Sequence, residues 1–245
     1  MQLYFVRHGQ SENNLLWERS GDSVGRSDDP WLTAAGRKQA EQVARFLRSD
    51  GARATTNGSD PQNKDGFGIT HVYCSLMVRA VETGNMIAQA LQLPLVAWPD
   101  LHEGGGIYLD DPVSGQPEGR AGKGRSFFAQ HYPHLVLPTG LSEQGWWNRP
   151  YEMAVERMPR AQRWLRELIA RHGATDDRVV AVSHGLFYNC VVAAVLNLPG
   201  PDAGVPWFAL NNTAVTRIDF RGDERGVGVM YMNRVDFLPR ALLTE

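Results

Sequence analysis

The 245 residues predict an α/β protein built on an open sheet, and three observations carry that prediction. Short apolar runs of strand character alternate with longer segments of helical periodicity. Two of those runs, far apart in the chain, end in the same construction, Arg7-His8-Gly9 and Ser183-His184-Gly185. In an open α/β sheet the crevice outside the strand carboxyl ends is where ligands bind, so both imidazoles belong to one edge of one sheet. The third observation is size: 245 residues with 42% hydrophobic content and no internal repeat suit one large domain.

The first element sets the chemistry. Leu3 to Val6 is too short for a helix and too apolar for a loop, hence a buried strand, and it stops at Arg7-His8-Gly9. Gly9, with Ser11 as an N-cap candidate and Glu12, Asn13 and Asn14 behind it, predicts a turn whose backbone N–H groups face an anion. A guanidinium at such a turn holds phosphate, and a neutral imidazole is a nucleophile. The residues thus point to attack by His8 on a phosphoryl group.

Leu15 to Trp31 is polar and turn-rich and is expected to be a loop. It contains Gly21-Asp22-Ser23-Val24-Gly25, which has the spelling of a nucleophile elbow but neither the strand before nor the helix after that an elbow needs. From Thr33, a plausible N-cap, Ala40, Val43, Ala44 and Leu47 share one helical face. Ser49 to Gly68 lacks periodicity and reads as a long surface loop. The strand His71 to Cys74 follows, then Ser75 as N-cap of a helix reaching Leu91. Arg79, one turn into that helix, is a second phosphate ligand candidate. Four residues separate Cys74 from Arg79 where a cysteine phosphatase loop needs five, so Cys74 belongs to the core.

Leu95 to Trp98 is a further strand, and the loop leaving it carries Glu103 before three glycines that permit close approach of backbone to ligand. Phosphoryl transfer needs a proton for the leaving oxygen, and Glu103 can supply it. His102-Glu103 lacks the second histidine of a zincin. A metal held by His8, His184 and Glu103 is disfavoured, since Arg7 and Arg79 would repel a dication, and no metal or other cofactor is expected. Residues 107–149 look least regular; Arg120, Lys123 and Arg125 among glycines read as a mobile basic flap, and the Walker pattern fails because Gly124 stands where Ser or Thr is required. Trp146, Trp147 and Tyr151 either wall the pocket or pack the flap down. Met158, Ala161, Leu165, Leu168 and Ile169 mark an amphipathic helix that Pro159 opens or kinks. Helix Leu186 to Leu196 follows the second imidazole, and Asn212 to Phe220 and Val227 to Met232 close the sheet around a turn at 221–226.

Composition excludes several partners. A net charge of −2 supplies no field for nucleic acid or an acidic membrane. Cys74 and Cys190 lie in apolar surroundings and are expected as buried thiols, not a disulfide. The opening apolar run ends at Arg7, too short for a signal or span, which leads us to expect a cytoplasmic location.

Together, Arg7-His8-Gly9-Gln10-Ser11 with Asn14 and Ser20-Gly21, Leu32-Thr33-x-x-Gly36-x-x-Gln39-Ala40, Ser75-x-x-x-Arg79-Ala80-x-x-Thr83, Leu101-x-Glu103 and Ser183-His184-Gly185 resemble the histidine phosphatase superfamily, which includes cofactor-dependent phosphoglycerate mutase. The likeness spans a single domain, 1–245, apart from insertions at about 50–68 and 107–150. It implies a three-layer α/β/α sandwich with a mostly parallel sheet of about six strands. It also implies that His8 becomes phosphohistidine, that Arg7, Arg79 and His184 hold the phosphoryl oxygens, and that Glu103 donates the proton. Gly9, Asn14, Ser20, Gly21 and Gly185 match positions near the substrate. Mutases of the family carry Glu where Gln10 stands, and a Tyr- and Lys-bearing stretch where Gly104-Gly105-Gly106 stands. A phosphatase for a small phosphorylated metabolite is therefore expected first, a mutase second, and a non-catalytic phospholigand binder third.

Overall fold

The structure, a computed structural model, describes residues 1–48, 60–203, 206–222 and 226–245. Its strands are β1 Gln2–Arg7, β2 His71–Cys74, β3 Leu95–Ala97, β4 Tyr108–Asp110, β5 Pro117–Gly119, β6 Leu135–Val136, β7 Arg178–Ser183, β8 Val215–Phe220 and β9 Val227–Arg234. Its α-helices are α1 Glu12–Ser20, α2 Ala34–Arg48, α3 Val78–Leu91, α4 Arg125–His131, α5 Ala154–His172 and α6 Gly185–Val195. Seven strands form one sheet in the order β6-β3-β2-β7-β1-β8-β9, and β4 pairs with β5 apart from it. The first five of that order pair in parallel, and β8 joins β1 and β9 by antiparallel pairing, so β8 alone runs against the rest.

Period-two alternation sorts the strand residues between two cores. Tyr4, Val6, Val180 and Val182 pack with Val43 and Leu47 of α2 and Val81 and Ile87 of α3. Leu3, Phe5, Val179 and Ala181 pack on the other side with Trp164 and Leu168 of α5 and Phe187 and Val191 of α6. The result is the expected three-layer sandwich. Cys74 and Cys190 are both free and buried within it.

Several expectations needed correction. Ser11 is the N-cap expected of it, but the helix it opens runs on into the stretch expected as loop, so residues 15–20 are helix: Ser11 Oγ accepts from Asn14 N–H while Asn14 Oδ1 accepts from Ser11 N–H, a reciprocal cap, and no residue of α1 is buried, so no periodicity betrays it. Ser75 stands outside α3; its hydroxyl accepts from Met77 N–H, and Met77 is the N-cap. The buried face of α5 is Arg157, Arg160, Ala161, Trp164, Leu168 and His172, leaving Ile169 40% exposed, because buried charged side chains took positions that periodicity reads as polar. Pro159 lies inside that helix. Residues 107–150 hold β4, β5, α4 and the edge strand β6, elements too short to register as a pattern. The strand expected from Asn212 begins only at Val215. Of the loop expected over 49–68, residues 49–59 lie outside the described residues, as do 223–225 of the last turn.

The start of α2 clamps the turn after β1. Thr33 N–H donates to Gln10 O, and Gln10 N–H donates to Gln39 Oε1. A Cβ on Gly36 would stand 2.1 Å from Gln10 O and one on Gly9 2.5 Å from Gly36 O, so both glycines are demanded by backbone meeting backbone. Gly36→Ala is expected to cost roughly 1–3 kcal/mol of stability, read by urea unfolding, and to impair whatever depends on residues 8–10; unchanged unfolding would contradict the clamp.

Candidate active site

Sheet register brings the two imidazoles together. Arg7 of β1 is the partner of Ser183 of β7, so the next residues, His8 and His184, emerge side by side, and His8 N–H donates to Ser183 O at 3.0 Å. The rings lie 5.0 Å apart between centroids, tilted by 57°. β2 lies on the other side of β7, and Ser75 N–H continues that ladder to Val182 O, which delivers α3 and Arg79 to the same edge. Arg79 Nε donates to His8 Nε2 at 3.1 Å. The loop after β3 is fixed by Ser183 Oγ, which donates to Leu101 O at 2.7 Å, and this places Glu103 above the start of α6. Glu103 accepts from the N–H groups of Gly104, Leu186 and Phe187 at 2.9–3.2 Å.

His8 Nδ1 faces Gly9 O at 2.7 Å, a contact that requires the proton on Nδ1 and leaves the lone pair on Nε2. Both ring nitrogens of His184 and Nε of Arg7 are buried without a protein partner, which leaves them to bond a ligand. Arg7 Nη1 donates to Leu210 O. Burial, reinforced by Arg79 and Arg7, holds His8 well below the ordinary histidine value, and burial with Arg79 and His8 does the same for His184. Burial also lowers both guanidinium groups, Arg7 to about 10. The cluster therefore combines neutral imidazoles with two cations, an arrangement that receives an anion and leaves a nucleophilic nitrogen free.

Arg7, His8, Arg79, Glu103 and His184 thus share one place, with Gly9 in the turn after β1 and Gly185 opening α6. Asn14 spends its side-chain oxygen on the α1 cap. Ser20 and Gly21 sit at the exposed end of that helix, where Ser20 Oγ donates to Leu16 O and Gly21 has φ 70°. The three glycines after Glu103 serve packing more than ligand approach: a Cβ on Gly104 would meet Leu186, one on Gly105 would meet Tyr151 and Tyr108, and one on Gly106 would meet Trp147. Trp147 packs on Met77 and Ile107, so this tryptophan pins the 107–150 segment down. Arg120 pairs with Glu118 and Arg125 donates to the carbonyls of Leu141 and Pro138, whereas Lys123 stands over the Phe127 ring. Each of the three basic residues is therefore engaged locally within the 107–150 segment.

Of the other residues that support the cluster, only Thr83 figures in the sequence motifs, and sequence assigns none of them a role. Asn212 Nδ2 donates to His8 O, and Thr213 N–H bonds the Arg7 and His8 carbonyls. Thr83 Oγ1 accepts from Gly9 N–H and donates to Arg79 O, a bridge that the Arg79-to-Thr83 spacing of one helical turn allows. Asp29, buried near Arg79, accepts from Val78 N–H, and burial pushes its carboxyl up to about 6. Arg160 of α5 grips Glu152 in two hydrogen bonds and donates to the carbonyls of Asp100 and His102, which holds the loop of Glu103 from behind. An arginine inside an amphipathic helix carries nothing in sequence that tells a buried anchor from solvated surface.

His8, His184 and His102 all have values lowered by burial below 6.5. In the unfolded chain they take up protons as pH falls through about 6.5, whereas the folded chain resists, so stability is lost in that direction. Each contributes a slope of up to about 1.4 kcal/mol per pH unit, and Asp29, shifted upward, offsets one of the three below about pH 6. Urea unfolding at pH 7.5 and 5.5 should show the loss; equal stability at both would contradict the burial of neutral rings.

Comparison with known proteins follows the same outline. A profile of the histidine phosphatase superfamily (branch 1) matches residues 3–60 and 118–232. The probable phosphoglycerate mutase GpmB of Proteus mirabilis is 30% identical over 221 residues, covering 90% of this chain and 86% of that one. Among solved structures, a putative α-ribazole-5′-P phosphatase from Escherichia coli superposes with TM-score 0.60 at 18% identity, covering 96% of this chain and 97% of that one. Phosphoserine phosphatase from Entamoeba histolytica, in complex with 3-phosphoglyceric acid, gives TM-score 0.58 at 19% identity over 97% of this chain and 99% of that one. No helix among the described residues is long and apolar enough to cross a membrane.

Proposed function

The chain belongs to the histidine phosphatase superfamily, and within it we propose a phosphomonoester hydrolase that works through a phosphohistidine on His8. The observation that carries this reading is the state of His8: Nδ1 committed to Gly9 O, Nε2 turned toward Arg79 and the unpartnered His184. In the proposed reaction Nε2 forms a bond to phosphorus while the bond from phosphorus to the ester oxygen breaks. Arg7, Arg79 and His184 hold the three equatorial oxygens, a preorganised contribution worth roughly 3–4 kcal/mol per donor. Glu103 gives its proton to the departing alkoxide, then accepts one from the water that attacks the phosphohistidine, so inorganic phosphate leaves and the carboxyl group returns to its first state. No step is routed through a metal, and a small phosphorylated metabolite is the substrate class.

A mutase is the second reading, favoured by the likeness to GpmB over 90% of the chain. Against it, Gln10 is occupied locally: its amide donates to Glu18 and accepts from Thr33. The Gly104-Gly105-Gly106 stretch is filled by aromatic rings and offers no side chain to hold a second phosphate.

A panel of phosphomonoesters that includes phosphoserine and 3-phosphoglycerate, assayed for free phosphate without bisphosphoglycerate, separates the two. Hydrolysis is expected; exchange of phosphate between positions that depends on bisphosphoglycerate would favour the mutase. His8→Ala should abolish turnover while retaining binding, and full activity in that variant would refute the assignment. Glu103→Gln should slow alkyl phosphates by about 10²–10⁴ yet affect p-nitrophenyl phosphate far less, since nitrophenolate needs no proton to leave. Equal losses on both would assign Glu103 a purely structural role.

A further inference from the structure

At the sheet edge opposite the candidate active site, three side chains converge that the phosphoryl chemistry does not use. His71 opens β2, His172 closes α5, and Asp177 immediately precedes β7. One ligand atom from each lies within 4.8 Å of the others. From this geometry we propose that His71, His172 and Asp177 form a binding site for one divalent first-row transition ion of the zinc class, which ties the amino end of the sheet to the end of α5.

Hydrogen bonds already gather the three side chains, His172 Nδ1 with Asp177 Oδ2 at 2.8 Å and Thr70 Oγ1 with His71 Nδ1 at 2.9 Å, and an ion would take the place of both. His71 Nδ1 and Asp177 Oδ1 face each other at 3.7 Å, too far to bond but close to the about 3.4 Å that separates two ligands on a tetrahedral ion with bonds of about 2.1 Å. His172 Nδ1 lies 2.8 Å from Asp177 Oδ2, and the two imidazole rings are 4.7 Å apart, tilted by 59°. Two imidazoles and one carboxylate form a donor set of intermediate softness, suited to zinc, cobalt or nickel more than to calcium or magnesium.

The surroundings fit the same role. Tyr73 Oη stands 3.0 Å from His172 Nε2, so when Nδ1 gives its lone pair to an ion, the proton resides on Nε2 and the phenol oxygen accepts it. Thr175 Oγ1 donates to Asp177 Oδ2 at 2.6 Å and orients the carboxylate. Among the described residues no Lys or Arg forms an ion pair with Asp177. The guanidinium groups that neighbour the cluster in sequence are engaged: Arg171 stacks on Trp98 at 4.0 Å and Arg178 donates to Phe67 O. The His71 side chain is 41% exposed and that of Asp177 23%, so an ion can enter and water can complete its shell.

Calorimetric titration of the full chain with Zn²⁺, freed of metal beforehand, tests this. One equivalent is expected to bind, and Co²⁺ in its place should give visible d–d absorption of a low-coordinate nitrogen–oxygen site. His71→Ala, at a half-exposed position that leaves the fold intact, should weaken binding by about tenfold or more and remove the rise in Tm that Zn²⁺ produces. It should leave phosphatase activity in the absence of metal unchanged. His8→Ala should bind the ion as tightly as the wild type. Absence of saturable binding would overturn the proposal, as would binding lost in His8→Ala but kept in His71→Ala, which would place the ion between His8 and His184.

Discussion

The structure depends above all on the parallel pairing of β1 with β7. With Arg7 opposite Ser183, the next residue of each strand can only be the neighbour of the other, and two histidines far apart in sequence become a pair 5.0 Å between ring centres. A slip of one residue would send every apolar side chain of β1 to the opposite face, exchanging the Tyr4 and Val6 core for the Leu3 and Phe5 core. The hydrophobic cores therefore fix the register, and the register fixes the histidines. Stability and function share one cause here.

Around that pair, the chain solves a charge problem. Arg7 and Arg79 lie beside imidazoles that the proposed reaction needs uncharged, and burial lets both conditions hold at once by disfavouring protonation of the rings. The cost is visible elsewhere. Thr83, Asn212, Thr213 and Leu210 all spend hydrogen bonds on residues 7–9 or on Arg79, and Arg160 with Glu152 anchors the Glu103 loop through a buried ion pair. Such a pair is weak evidence of net stabilisation, because desolvation offsets much of its attraction. Its value is positional: it holds the carbonyls of residues 100 and 102 and with them the carboxylate opposite His8.

Much of this was legible in the sequence, for physical reasons. The strands around His8 and His184 are continuous apolar runs because both faces of the sheet are covered, and such runs are hard to mistake. Arg79 stands out because it follows a strand's carboxyl end closely, and Glu103 because three glycines follow it and a leaving oxygen needs a proton. What stayed hidden had no period to show. The helix at 12–20 buries nothing, β6 is two residues long, and Arg160 counted as polar although it is 2% exposed. The glycines after Glu103 were read as room for a ligand, whereas the rings of Trp147, Tyr108 and Tyr151 fill that room. A sequence records that a glycine is needed there; only packing reveals what it makes way for.

The central claim, that His8 Nε2 is the atom that takes the phosphoryl group, has a direct measurement. Brief incubation with a ³²P-labelled phosphomonoester, followed by alkaline quench and peptide mapping, should trap one label on the peptide containing His8, stable in alkali and lost in acid. A label that survives acid, or one that maps to any peptide without His8, would contradict the account.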